Sequence, residues 1–389
     1  MARRVLLAGA LVASVLVPVA FASPQLKLTL LPLPSTELGQ VGRSLPLAPD
    51  SGVDSNAHAA SQTTGNVTAA RLARLGRVSG YLLDYGTPFT DSRGASEIQT
   101  EVERYRTPAS ARKSLGFWRK QELDVRALKQ FGLDVSFKKV ALAHVPHPYW
   151  AYLSTGRAHG LKPVYSVDAE LVEGAYLLDV SIAAGSPAAA KRLAPVVARK
   201  LDQRFRLAQA GHLHAKPVKL RLPKPGPPAH GAKPARIALT RSDLGSPATI
   251  LHAGYVSPRK AFDEYSISAY DLAMAPAGSY GELQQEVSVA RSALEVKYFA
   301  VLAAGALAHA AGSAGTATPV DLSSVGDNAF GELVRITAGG KSASEAIVVL
   351  SRGKYLDFVV GAAASKLSPA DVQSLAHKAA HRLNLAVAG

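Results

Sequence analysis

Ser110-Ala111-Arg112-Lys113 is a Ser-x-x-Lys arrangement, in which a lysine one helical turn away can take the proton of a serine nucleophile. It falls in the first turn after Thr107-Pro108, a capping residue followed by proline at the first helical position. An acyl-transfer site of that kind also needs partner motifs. Gly326-Asp327-Asn328 and Gly339-Gly340-Lys341-Ser342 stand in the right order, but far along the chain and only partly matched. Ser110 therefore reads as a first-turn helix residue. The glycine pair at 339–340 also suggests a phosphate loop. Arg335 stands where that loop needs its first glycine, so the pair reads as a hairpin turn. No Gly-x-Ser-x-Gly elbow occurs.

Histidine spacing gives no metal ligand set. His144-Val145-Pro146-His147 would aim two imidazoles one way on a helix, but Pro146 rules out an ordinary helix there. His212, His214 and His230 lie among lysines that repel a cation. His377 and His381 share a helix face but have no histidine counterparts earlier in the chain. No metal and no cofactor is expected. The carboxylate pairs Glu101/Glu103 and Glu282/Glu286 alternate along strands and read as solvated faces. The densest aromatic run is Tyr149-Trp150-Ala151-Tyr152, where alternation sends Tyr149 and Ala151 to one face and Trp150 and Tyr152 to the other. The sequence-based choice for a ligand-binding surface is His144, His147, Tyr149, Trp150 and Tyr152.

The elements that must position these residues occur twice. Leu33-Pro34-Ser35-Thr36-Glu37-Leu38-Gly39 returns as Leu239-Thr240-Arg241-Ser242-Asp243-Leu244-Gly245. Glu97–Val102 returns as Glu282–Val287, and Leu171–Leu177 returns as Leu350–Leu356. The blocks keep their order, which predicts one domain duplicated. Glu97–Tyr105 has the period-two pattern of a half-buried strand, as do Leu283–Val289. Two strand pairs turn at Glu173-Gly174 and Arg352-Gly353. Each copy closes with a helix beginning Ser186-Pro187 or Ser368-Pro369, the second with Asp371 completing a capping box. Leu193, Val197, Leu201 and Phe205 make one apolar stripe, and Val372, Leu375, Ala379 and Leu383 the other. The expected fold is α+β: two tandem homologous domains, each an antiparallel sheet with helices packed on one face.

The boundaries follow from composition. Residues 1–22 read as a signal peptide: Arg3-Arg4, an apolar run, and Ala20-Phe21-Ala22 before Ser23. Residues 23–205 form the first repeat, with 23–70 partly disordered; 206–236 a Pro/Lys-rich linker; and 237–389 the second repeat. No later segment is apolar enough to span a membrane. Val301–Ala311 is mostly apolar but short, and reads as a buried helix. No cysteine occurs, which excludes disulfides, thiolate metal sites and cysteine nucleophiles. The chain carries 44 Lys+Arg against 29 Asp+Glu, unevenly placed. Residues 23–205 hold 23 against 16, residues 206–236 hold seven and no acid, and residues 237–389 hold 12 against 13. The positive field of the first repeat and linker predicts an anionic cell-wall polymer or membrane surface as partner. For an exported chain it does not predict nucleic acid.

Four marks together resemble a known family: Tyr105-Arg106-Thr107-Pro108-Ala109 between strand and helix, Val325-Gly326-Asp327-Asn328-Ala329, the strand pair around Arg352-Gly353, and the terminal Ser-Pro helix. The chain resembles the extracytoplasmic sensor-like domains of actinobacterial serine/threonine kinases and related exported lipoproteins. The resemblance implies a ligand- or partner-binding module with no catalytic residues. The resulting expectation is an exported, cell-surface-associated, non-enzymatic binding protein of the bacterial envelope. The alternatives are a wall-active serine hydrolase using Ser110 and Lys113, or a structural adaptor between wall and membrane.

Overall fold

The computed structural model describes residues 26–61, 67–87, 94–122, 133–145, 149–158, 162–220, 224–245, 248–257, 261, 266–300, 315–326, 329–338 and 341–388. His147, Asp327, Asn328, the 339–340 turn, and the expected helix over 301–311 lie outside these residues. The first sheet joins β1 (Gly52–Asp54), β2 (Arg77–Gly86), β3 (Ala95–Tyr105), β4 (Leu133–Lys139), β5 (Tyr149–Ala158), β6 (Val164–Glu173) and β7 (Tyr176–Ala184) in the order β1-β2-β3-β7-β6-β5-β4. The second joins β8 (Thr249–Val256), β9 (Ser268–Ala275), β10 (Glu282–Val289), β11 (Gly315–Val320), β12 (Ala329–Ala338), β13 (Lys341–Arg352) and β14 (Tyr355–Ala363) in the order β8-β9-β10-β14-β13-β12-β11. Every described pairing is antiparallel. The two strand orders are the same, so the repeated strings mark a repeated topology.

The repeats place the same contacts. Gly174 and Gly353 turn their strand pairs at φ 58° and 59°, a region that glycine enters without a Cβ penalty. The backbone N–H of Leu33 donates to Thr100 Oγ1 at 3.1 Å, and that of Leu239 to Gln285 Oε1 at 2.7 Å. Thr100 and Gln285 are equivalent in the Glu97–Val102 and Glu282–Val287 strings.

Among the described residues three long helices follow: α1 (Pro108–Glu122), α2 (Pro187–Gln209) and α3 (Pro369–Ala388). Ser186 Oγ caps α2 by accepting from the Ala189 N–H. Asp371 Oδ2 accepts from both the N–H and the hydroxyl of Ser368. The α2 stripe buries Val197, Leu201 and Phe205 against Ile98, Val102, Val180 and Ile182, each such side chain contributing roughly 1.5–3 kcal/mol. Val372, Leu375, Ala379 and Leu383 do the same on the second sheet.

The opposite face of each sheet is also covered in part. On the first, α1 lays Ala111, Leu115 and Trp118 on Tyr105, Val172 and Leu177. On the second, the helical residues 293–300 lie between that sheet and the first half. Ala290, Val296, Tyr298 and Phe299 pack with Val349 and Leu356 on one side, and with Ala48, Val135 and Val164 on the other. Arg291 Nη1 donates to the Gly86 carbonyl at 3.3 Å, and Tyr298 Oη to the Lys162 carbonyl at 2.6 Å.

Two expectations change. Much of the 23–70 segment, read as partly disordered, is built into the fold: Leu31, Leu33 and Leu38 enter the first core, and Ala48, Gly52 and Asp54 are buried as well. Prolines at 32, 34, 46 and 49 hide this from any periodicity test, because the chain meets the core one leucine at a time. The Glu101/Glu103 face is not solvated. Glu103 is 5% exposed, and the Glu101 side chain 14%, because α1 and the chain before β2 close over it.

Candidate functional site

The expected ligand surface does not converge. Tyr149 points to the α2 face, where its hydroxyl accepts from the Leu142 N–H at 2.9 Å. Trp150 and Tyr152 point to the other face and are buried, with ring centroids 4.3 Å apart. Phe137 meets Tyr152 edge-on at 5.4 Å, and the Arg119 guanidinium lies 5.1 Å above Trp150. His144 is elsewhere. It takes φ 59° and lines an open cavity of about 560 Å³ with Val145, Asp202, Gln203, Arg206 and Leu207, at the C-terminal end of α2. Alternation along β5 thus divides the aromatics as expected, but only the rings of one face cluster, and they serve as packing.

Ser110 is committed to the start of α1. Its N–H donates to Thr107 Oγ1 at 3.1 Å, and the Thr107 hydroxyl donates to Ser110 Oγ at 3.0 Å. This is capping geometry.

Next to the aromatic rings, Asp168 accepts from Ser181 Oγ at 2.5 Å and from Ser166 Oγ at 3.0 Å. Burial pushes its carboxyl up to about 6, against the pull of those hydroxyls.

The strongest electrostatic feature of the first sheet escaped the sequence reading. Arg77, at the start of β2, is 1% exposed. Its Nε donates to Glu103 Oε1 at 2.5 Å, and its Nη2 donates to Glu101 Oε1 at 3.1 Å and to Asp54 Oδ2. Nη1 donates to Asn56 Oδ1 at 3.1 Å. Tyr105 donates to Glu103 and accepts from Trp118 Nε1 at 3.3 Å. His58 Nδ1 lies 2.7 Å from Asp54 Oδ1. Burial works against the guanidinium charge, but Glu103, Glu101 and Asp54 hold its pKa above the usual arginine value. Burial raises Glu101 well above the carboxylate range, helped by Asp54 and Glu103. Asp54 is lowered despite burial, by His58 and Arg77. The three carboxylates lie close enough to hold a metal ion, but a guanidinium is already among them. The only cue in the sequence was Glu101 and Glu103 on one strand face; their partner stands 24 and 26 residues earlier.

The second sheet keeps one member of this cluster. Glu286 is the equivalent of Glu101. Glu103 becomes Ser288, and Asp54 becomes Val256, since each pairs through the same β2 or β9 position. Ser266 precedes Ser268 by two, as Arg77 precedes Ser79. Glu286 faces a cavity of about 400 Å³, lined by His252, Asp271, Ala273, Gln284 and Phe358 among others. Asp271 stands directly opposite Glu286 across β9–β10, and Phe358 opposite it across β10–β14. Burial raises the Asp271 pKa, with Glu286 hydrogen bonding and His252 acting the other way.

No protein-family model matches the chain, and no curated protein sequence does. Among solved structures, the extracellular domain of PknH from Mycobacterium tuberculosis is similar over 44% of this chain and 93% of that one, at 16% identity and a TM-score of 0.30. The di-domain ARO/CYC BexL from the BE-7585A biosynthetic pathway is similar over 82% of this chain and 91% of that one, at 8% identity and a TM-score of 0.13. The first is a kinase extracellular domain, the type of module the sequence resembles. At these TM-scores neither likeness bears on function, and the duplicated fold stands on the chain's own two sheets.

Proposed function

We propose that this chain is an exported, non-enzymatic binding protein of the bacterial cell envelope, and that its first half holds a linear anionic wall polymer. The observation that carries this reading is a difference between two helices in the same place. Within α2 stand six Lys or Arg and one acid, Asp202. Within α3 stand two and one. Both helices bury the same kind of apolar stripe; Arg204, Arg206 and Lys200 of α2 have partners in the fold, whereas Lys191 and Arg192 make no ion pair among the described residues.

Five of the six α2 cations face outward; the sixth, Arg204, is buried and paired with Glu37. Lys191, Arg192, Arg199, Lys200 and Arg206 are exposed, while Asp202 is buried and bonded to Arg206. The helix ends in a Schellman-type turn, with His212 N–H donating to the Leu207 carbonyl and Gly211 at φ 73°. The chain then runs extended, with Leu213, Val218 and Leu220 packed on the first core and His212, His214, Lys216 and Lys219 exposed. Helix and extended segment each carry a basic track, about 35 Å and about 28 Å long at about 1.5 and 3.1 Å per residue. A narrow track suits a polyanion chain better than a flat bilayer.

The test is retention on immobilised poly(glycerol phosphate) and on phosphatidylglycerol vesicles, at low and high salt. Retention on the polymer, released by salt and lost in Arg192→Glu/Arg199→Glu, is the expected result. Equal retention of that variant would refute the track. Retention on vesicles alone would make the surface a lipid one.

A further inference from the structure

A sheet ends in strands whose outer backbone groups have no ladder to join, and such edges pair with other chains unless something blocks them. Among the described residues the two sheets have four edges: β1 and β4 on the first, β8 and β11 on the second. Three of them carry a block. Strand β1 is three residues long. Strand β4 ends in Lys138 and Lys139, and its Val135 is packed into the contact between the two halves. Strand β11 carries Pro319, which has no N–H to offer a ladder. Strand β8 differs. Its eight residues, Thr249–Val256, include no Lys, Arg, Asp, Glu or Pro. Thr249 to Ala253 are all exposed, Ile250 at 44% and Leu251 at 59%. Its inner side pairs with β9, and among the described residues no backbone group of β8 bonds to a backbone elsewhere. A bulge between Ile250 and His252 takes Leu251 out of the β9 ladder.

We propose that β8 pairs with β8 of a second copy of this chain, antiparallel about a two-fold axis, so that the two second sheets become one continuous sheet. Three observations select this occupant. The other edges are blocked, so an edge-to-edge contact between copies has β8 to offer on both sides. Such a contact is isologous and closes at two. Charge points the same way. The chain carries +15 overall, which drives copies apart, but residues 237–389 hold 12 Lys+Arg against 13 Asp+Glu. Meeting through the second half joins the nearly neutral surfaces and keeps the basic first halves out of the contact. Within the strand no carboxylate, lysine or arginine stands opposite its own copy. Lastly, Ile250 and Leu251 stand at the seam, where a second copy removes them from water. One strand pair lies at the small end of protein interfaces, so monomer–dimer exchange in the micromolar range is expected. The inference concerns the second half and does not rest on the polymer reading of the first.

The chain has no cysteine, so single introduced ones report contacts between copies cleanly. Thr249→Cys, Leu251→Cys and Ala253→Cys, all on β8, are oxidised in the full chain at rising concentration. Thr316→Cys, exposed on the other edge strand β11, is the control. Sedimentation equilibrium follows the wild type and Leu251→Lys. The wild type is expected to dimerise with concentration, and at least one β8 cysteine to form a linked dimer that Thr316→Cys does not. Leu251→Lys should weaken dimerisation by about tenfold or more, because it brings two like charges to the seam. A wild type that stays monomeric up to roughly 0.5 mM overturns the proposal. Equal linking at β11 and β8 does so too, as does undiminished dimerisation of Leu251→Lys. Should Leu251→Lys fail to fold, the contrast between the β8 and β11 cysteines still decides.

Discussion

Replacing Asp357 by leucine restores the residue that the first copy carries at the equivalent position, Leu178. Asp357 lies in the second core and is 0% exposed. Its Oδ1 accepts from Gln285 Nε2 at 2.8 Å, and its Oδ2 has no hydrogen-bond partner among the described residues. Burial pushes its carboxyl up to about 7 from 3.8, with the Gln285 bond acting in the opposite sense. Between these values the folded chain keeps a proton that the unfolded chain has released. The stability tied to that proton is therefore complete below about pH 3.8 and lost as the pH rises to about 7. About three pH units correspond to a loss of ~4 kcal/mol. Asp357→Leu removes the loss but strands the Gln285 amide, at a cost of about 1–3 kcal/mol. Asp357→Leu/Gln285→Thr avoids that cost, because threonine accepts the Leu239 N–H as Thr100 accepts that of Leu33. Urea denaturation at pH 5 and pH 8 measures the difference. The wild type should lose about 2–3 kcal/mol more stability between the two than the double variant, the part of the slope that belongs to Asp357. Equal pH slopes would refute the assignment of a buried, proton-holding Asp357.

Two further outcomes follow from an ion cluster and a tyrosine hydroxyl. Arg77→Ala leaves Asp54, Glu101 and Glu103 without their cation and should cost about 3–5 kcal/mol in thermal melts. Arg77→Lys should recover only part of that, since an ammonium cannot serve three carboxylates in a fork; an unchanged melting temperature in Arg77→Ala would remove the cluster from the list of stabilising features. The Tyr355 hydroxyl accepts from the Ala232 N–H at 2.7 Å and donates to the Ala232 carbonyl. Tyr355→Phe should cost about 1 kcal/mol and speed tryptic cleavage after Arg236, and identical cleavage rates would show that this segment is held by other contacts.

The fold was legible where local chemistry repeats. The strings around Glu97 and Glu282, and the Ser-Pro caps, mark elements whose backbone needs are short-range, and they led directly to the duplicated sheet. What depended on distant partners was hidden. Leu31 and Leu33 are core residues because they meet β3, and nothing adjacent to them says so. Glu101 and Glu103 look like any solvated strand face until Arg77 is brought beneath them. The candidate site divided in the same way. Alternation separated Tyr149 from Trp150 and Tyr152, whereas the cavity by His144 is made by α2, more than 50 residues further on. The Asp271–Glu286 pairing is a matter of strand register, and register between β9 and β10 cannot be read from either strand alone.

The helix after β3 folds back on its own sheet, whereas the helical residues after β10 wedge against the other half. The duplication is thus symmetric in strands and asymmetric in what fastens them. Cutting the chain at the linker would strip Ala48, Val135 and Val164 from Val296, Tyr298 and Phe299, and leave each fragment with a greasy scar. Domain-by-domain expression would then yield sticky, self-associating pieces. The intact pair is the smallest unit in which both sides of that wedge stay covered.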